Sequence, residues 1–255
     1  MTEKNTELSM RQAKILAAIV KEYSETGEPI ASKELVEKQY FDVSGPTIRN
    51  EMQVLEKLDY IHQPHTSAGR VPTDKGYRFF VNELMERVKL SAKEQERLKH
   101  EIFKLQAVNM EISRRLAKIT AEISGSASFA LFPDDSSAVG ISNLLDNPKL
   151  SGEDAKAVAQ FFDNIDERAP ELLKEFSGTD AQSFIGSEVK EIALSQNSDY
   201  SMIVSGLKLP SGKKGVLGLI GPKSMKYEKN LSLMEYISKL LGGGTAVLLF
   251  TTLIK

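Results

Sequence analysis

The chain has no cysteine, which excludes disulfides, thiolate catalysis and cysteine-built zinc sites. Histidine is scarce too, at three residues in 255. His62 and His65 stand at a spacing seen in metal sites, but no third ligand accompanies them, and a bound metal needs three or four. The longest apolar run, TAVLLFTTLI near the carboxyl end, falls short of the roughly 20 residues that span a bilayer. The amino-terminal MTEKNTELSMRQ is polar and has no apolar signal core. A cytoplasmic protein without stable membrane insertion is therefore expected. The net charge of −2 offers no global attraction to nucleic acid, so any such site must be a local patch.

Nucleotide and catalytic signatures are missing as well. Gly215, Gly218 and Gly221 recur at intervals of three, but within a strand rather than between strand and helix, so they make no dinucleotide fingerprint. GPKS lacks the rest of a phosphate loop, and the adjacent Asp134 and Asp135 read as a solvated turn. No base–nucleophile pair stands out. The expectation is no enzyme, no catalytic residue, no metal and no cofactor.

Length and texture suit more than one domain, since domains usually run to about 100–150 residues. A helix is predicted from about Met10 to Glu25, with Ile15, Ile19, Val20 and Tyr23 on one face and Gly27 with Pro29 ending it. Ser32 is the expected cap of a short second helix carrying Leu35 and Val36. In SGPTIRNEMQVLEKLDY, Ser44 is a candidate cap and Pro46 suits a first turn. Ile48, Met52, Leu55 and Leu58 form the buried stripe there, leaving Thr47, Arg49, Asn50 and Gln53 outside it. YIHQ and RVP then read as two short strands around a loop, and Thr73 caps another helix.

Three helices and a two-stranded tip make a winged helix-turn-helix. Asn pairs bidentately with adenine and Arg with guanine, so Asn50 and Arg49 suit base edges in a major groove. His65, Thr66, Ser67 and Arg70 lie on the wing, where Thr66, Ser67, Arg70 and nearby amides suit phosphates or a minor groove. A winged-helix module that binds only protein is the competing reading.

The run SGPTIRNEMQVLEKLDYIHQPHTSAGRVPTDKGYRFFV resembles the signature of the bacterial heat-inducible transcription repressors, the HrcA family. Downstream, IGSEVKEIALSQNSDYSMIV, GVLGLIGPKSMKYEKNLSLMEYI and VGISNLLDNPKLS resemble its carboxyl-terminal region. The resemblance implies a dimeric repressor of chaperone genes bound to double-stranded DNA at an inverted-repeat operator. It also implies modulation by a GroEL-type chaperonin and a GAF-like carboxyl-terminal fold. The DNA-binding set carried by both arguments is Ser44, Thr47, Arg49, Asn50, Gln53, His65, Thr66, Ser67 and Arg70. A winged-helix regulator sensing a small molecule at an unrelated operator is the alternative.

The expected fold class is α+β: a winged helix over residues 1–80, a long helical connector over 81–124 and a GAF-like domain over 125–255. Leu98, Ile102, Leu105, Asn109, Ile112, Leu116, Ile119 and Ile123 follow a heptad spacing with one polar position. That seam serves either a homodimer or packing on the chain's own carboxyl-terminal domain. Farther on, SFALF reads as a strand, SGEDAKAVAQFFDNI and SLMEYISKLL as helices, and YSMIVSGLKL with GVLGLIG as a hairpin. Longer relatives are expected to carry an inserted dimerising segment where FALFPDDSSAVGISNLL crosses directly, so the Asn109 seam and the apolar tail after Gly242–Gly244 become candidate dimer surfaces. Burial in the core, or association with chaperonin or a membrane surface, are the other fates for that tail.

Overall fold

The computed structural model describes residues 8–38, 41, 43–65, 68–107, 112–145, 152–178, 180–192, 199–209 and 211–242. The chain divides into two compact units, Met1–Glu86 and Arg87–Lys255.

Among its described residues the first unit has four α-helices and a small wing. Helix α1 (Met10–Thr26) starts in a capping box. Ser9 Oγ accepts from Gln12 N–H at 3.2 Å, and Gln12 Oε1 accepts from Ser9 N–H at 2.9 Å. It stops at Gly27, whose φ of 69° turns the chain left-handed. Helix α2 (Ser32–Glu37) is preceded by Ala31, so Ser32 is its first helical residue and not its cap. The orphan amide of Ala31 is met instead by Glu34 reaching back at 3.2 Å. Helix α3 (Gly45–Lys57) packs against both through Ile48, Met52 and Leu55, all buried. It closes in a Schellman arrangement: Asp59 takes φ 62°, and Tyr60 N–H returns to Leu55 O at 2.9 Å. Strands β1 (Ile61–His62) and β2 (Val71–Pro72) pair antiparallel. Helix α4 (Asp74–Phe79) follows, capped by Thr73 as the sequence predicts, and runs on as a π-helical turn over Phe80–Leu84.

The second unit begins with α5 (Ala92–Ala107) and α6 (Ile112–Ser124). An ion pair of Arg97 with Glu122 places the start of α5 beside the end of α6, so the heptad segment folds back on itself as a helical hairpin. Leu98, Ile102, Leu116, Ile119 and Ile123 are buried inside this unit. Those described seam residues serve intramolecular packing, and residues 87–124 of the segment expected as a connector belong to the second unit. Asn109 lies outside the described residues.

A five-stranded antiparallel sheet follows, in the order β4-β3-β7-β6-β5. Its strands are β3 (Ala127–Phe132), β4 (Asp135–Val139), β5 (Gln182–Ile185), β6 (Tyr200–Lys208) and β7 (Lys214–Pro222). Between β4 and β5 run α7 (Ser142–Leu145), α8 (Gly152–Asp163) and α9 (Ile165–Phe176), and α10 (Tyr227–Leu241) closes the unit. On β3, Ala127, Phe129 and Leu131 share a core with Val158, Phe161, Ile165 and Leu172 of α8 and α9. The alternate residues of β3 are equally buried because α6 covers the other face, while α10 lies along β6. Strands buried on both faces read as unbroken apolar runs, which is why SFALF and GVLGLIG stand out in the sequence.

The spaced glycines of β7 have a packing reason. A Cβ on Gly218 would lie 2.0 Å from the Phe129 ring of the neighbouring strand, so only glycine lets that ring lie across the sheet. Asp134 lies in an exposed turn, as expected, and Asp135 departs from that reading. Asp135 opens β4, and its carboxylate accepts from Ser113 N–H at 2.9 Å and Ser113 O–H at 2.7 Å at the start of α6. Asp134 faces Lys213 at 3.5 Å.

Candidate nucleic-acid interface

Helix α3 sorts its side chains by a period of 3.6. With Ile48, Met52 and Leu55 turned inward, Arg49, Asn50, Gln53 and Lys57 are left exposed. Asn50, Gln53 and Lys57 follow one another at three and four residues, so they form a single line along the outer face, with Arg49 on its flank. Lys57 was not in the predicted set, although its place four residues after Gln53 marks it by helical spacing alone. Val54 is also outward, 38% exposed. Ser44 occupies the cap position without bonding a backbone amide; its hydroxyl shares a hydrogen bond with the Thr47 hydroxyl at 2.9 Å.

Acidic residues slightly outnumber basic ones between Met1 and Glu86, so the local charge pattern decides what this face can approach. Helix α3 has two carboxylates, and each is drawn back into the unit. Glu51 accepts from Arg11 at 3.3 Å and from Gln12 Nε2 at 3.0 Å. Glu56 Oε2 accepts from Arg70 Nε at 3.1 Å and Arg70 Nη2 at 2.9 Å. The outward line is thus amides and cations with no carboxylate among them. Such a set can donate to and accept from base edges and can neutralise phosphates.

The wing is anchored at its base. Arg70 and Ile30 exchange backbone hydrogen bonds at 2.8 and 2.9 Å, which adds a bridge from the α1–α2 loop to the wing. Gly69 allows it: a Cβ there would stand 2.4 Å from the Ile30 carbonyl carbon. Across the wing, Gln63 Nε2 donates to Ala68 O at 2.9 Å, and Ala68 N–H donates to His65 O at 2.9 Å. His65 is exposed. Thr66 and Ser67 lie outside the described residues. Arg70 departs from the expected outward cation, for its side chain is only 19% exposed and its guanidinium is engaged by Glu56.

Among the described residues no group of acidic and histidine side chains is arranged to hold a metal, and no helix is long and apolar enough to cross a membrane.

Comparison with known proteins agrees with this geometry. Residues 7–86 match the family described as "Winged helix-turn-helix transcription repressor, HrcA DNA-binding", and residues 75–231 match "HrcA protein C terminal domain". The heat-inducible transcription repressor HrcA of Natranaerobius thermophilus is 44% identical over 130 residues, which are 51% of this chain and 38% of that protein. Its counterpart in Thermomicrobium roseum is 40% identical over 129 residues, 51% of this chain and 37% of that protein. The matched stretch therefore takes in less than half of either relative. One crystal structure, described as that of a hypothetical protein, shares the fold with a TM-score of 0.70 at 20% identity, over 92% of this chain and 97% of that one. Winged helix first and GAF-like α+β sheet second is the shared architecture. With both family regions represented, the chain belongs to the HrcA family of winged helix-turn-helix transcription repressors, which is a family of DNA-binding regulators and not of enzymes.

Proposed function

We propose that this protein is a cytoplasmic repressor of heat-shock genes that binds an inverted-repeat operator as a homodimer. The observation that carries the reading is the outer face of α3, where Arg49, Asn50, Gln53 and Lys57 are exposed while Glu51 and Glu56 are drawn inward. In this reading Asn50 and Arg49 reach base edges, Gln53 assists, and Ser44 and Thr47 meet a phosphate near the start of the helix. The wing, with His65, Thr66, Ser67 and the neighbouring amides, lies on the backbone or in the adjacent minor groove. Two copies present two such faces, matching the two-fold symmetry of an inverted repeat.

A GroEL-type chaperonin is the proposed modulator. Heat diverts the chaperonin to unfolded clients, the repressor loses folding help, and the operator is vacated. Such feedback suits a marginally stable domain, because about one or two kcal/mol is a large share of a protein's stability. A small-molecule effector is less favoured, because Phe129, Phe161 and Phe176 occupy the sheet face beneath α8 and α9. Footprinting of the purified protein on the chaperone promoters of its own genome tests the proposal. A protected inverted repeat there supports it, and protection only at unrelated promoters overturns it.

A further inference from the structure

Arg70 is the most conspicuous cation of the wing, yet its geometry is not that of a side chain awaiting a phosphate. Both Nε and Nη2 converge on one oxygen of Glu56, at 3.1 and 2.9 Å. The two side chains are 19% and 34% exposed, so the pair is shielded from solvent more than a surface bridge. Glu56 sits in the last turn of α3, next to Lys57 at the end of the outward line, and Arg70 directly precedes β2. The backbone of the same Arg70 is held by Ile30. One residue thus ties the wing base to the α1–α2 loop through its main chain and to the reading helix through its side chain.

We infer that Arg70 is a positioning residue, and that its pairing with Glu56 locks the wing to α3 so that both reach DNA as one rigid surface. The inference rests on the DNA-binding reading above. It also gives Glu56 a purpose. An unpaired carboxylate this close to the reading face would repel phosphate, and the guanidinium cancels it while fixing the wing. Binding then needs no separate ordering of the wing, whose cost would otherwise come out of the affinity. A phosphate-contacting Arg70 would instead have to abandon Glu56 on binding.

The test is a double-mutant cycle on the full chain with Arg70→Gln, Glu56→Gln, the double variant, and the charge exchange Arg70→Glu with Glu56→Arg. The probe is a duplex that the parent protein selects from a randomised pool, titrated over a range of salt. As a lock, each single variant weakens binding about fivefold to tenfold, and the double variant is no weaker than the worse single one. The exchange restores most of the affinity, and the slope of log affinity against log salt in the double variant equals that of the parent. A slope reduced by about one per half-site in the double variant, or tighter binding by Glu56→Gln, marks a direct phosphate contact and overturns the proposal. Amide exchange in the free protein provides an arm without DNA. The Ala68, Arg70 and Ile30 amides exchange faster in Arg70→Gln while those of α1 do not, and unchanged wing amides overturn the lock. A parent that selects no duplex defeats the functional reading, whereas the exchange arm still decides the lock.

Discussion

In the first unit the polar side chains of α3 face away from the core, whereas in the second the central strands are closed on both sides by the protein's own side chains. Both units use glycine for close approach, to different ends. Gly69 brings the wing backbone against Ile30, while the polar side chains of α3 face outward. Gly218 instead admits the ring of Phe129, which fills the space between sheet and α8–α9. One face carries exposed polar and cationic side chains, and the other, among the described residues, is covered by the unit's own apolar side chains. The contrast teaches that regulation through the second unit has more to gain from changes in its stability than from a ligand seated beneath α8 and α9. That is in keeping with the proposal that the repressor's activity depends on folding help.

The contrast is tested most strongly at Phe129. Phe129→Ala removes the ring over Gly218 and is expected to cost about 3–5 kcal/mol of stability in the second unit. Segment-resolved amide exchange is expected to rise across 127–132 and 216–220 while α1–α3 keep their protection. Equal loss in both units would mean that they do not melt as separate bodies. Next in size is Asn50→Ala, expected to lower the discrimination between selected and random duplexes by about 1–3 kcal/mol without moving the melting temperature. An unchanged ratio in competition binding would remove α3 from the reading role.

The two units also differ in how much of them can be read from sequence. α1, α3, the two wing strands and Thr73 as a cap were legible because each is specified locally, by periodicity, caps and turn residues. The outward residues of α3 followed from the same stripe. What escaped was set by distant partners. Nothing near Arg70 in the chain announces Glu56, and nothing near Asp135 announces Ser113. The heptad seam fixed the apolar face of α5 and α6 but not the reversal between them, because periodicity does not say which surface a stripe meets. β4 and β5 were missed for a related reason. They are the edge strands of the sheet, half-buried at most of their positions, and lack the unbroken apolar runs of β3, β6 and β7.

Lys57 sharpens the comparison on the DNA side. A Lys in the last helical turn is also placed to favour the helix dipole, so a structural role is available to it. As a phosphate contact, Lys57→Ala weakens binding to selected and random duplexes alike and lowers the salt slope by about one per half-site. A small loss of melting temperature with an unchanged slope would assign it to the helix end alone.

The smallest expected effect lies in the second unit, at the junction of α5 and α10. Lys229 Nζ donates to Glu94 at 2.7 Å, and the Ser91 hydroxyl and amide donate to the same carboxylate at 2.7 and 2.9 Å. The Lys229 contact first, and the two Ser91 bonds after it, lower the Glu94 pKa from 4.5 to about 2. Because the folded value lies below the unfolded one, the stabilisation is fully present above about pH 4.5 and is lost as the pH falls toward 2. Both side chains keep contact with solvent, so screening leaves roughly 1 kcal/mol or less to be measured. Urea unfolding of the parent and of Glu94→Gln at pH 7 and at about pH 2.5 isolates this carboxylate from the others that titrate in the same range. The parent is expected to be more stable than the variant at pH 7, with the gap narrowing toward zero in acid. A gap that stays constant across that window would show that Glu94 contributes by packing and capping rather than by charge.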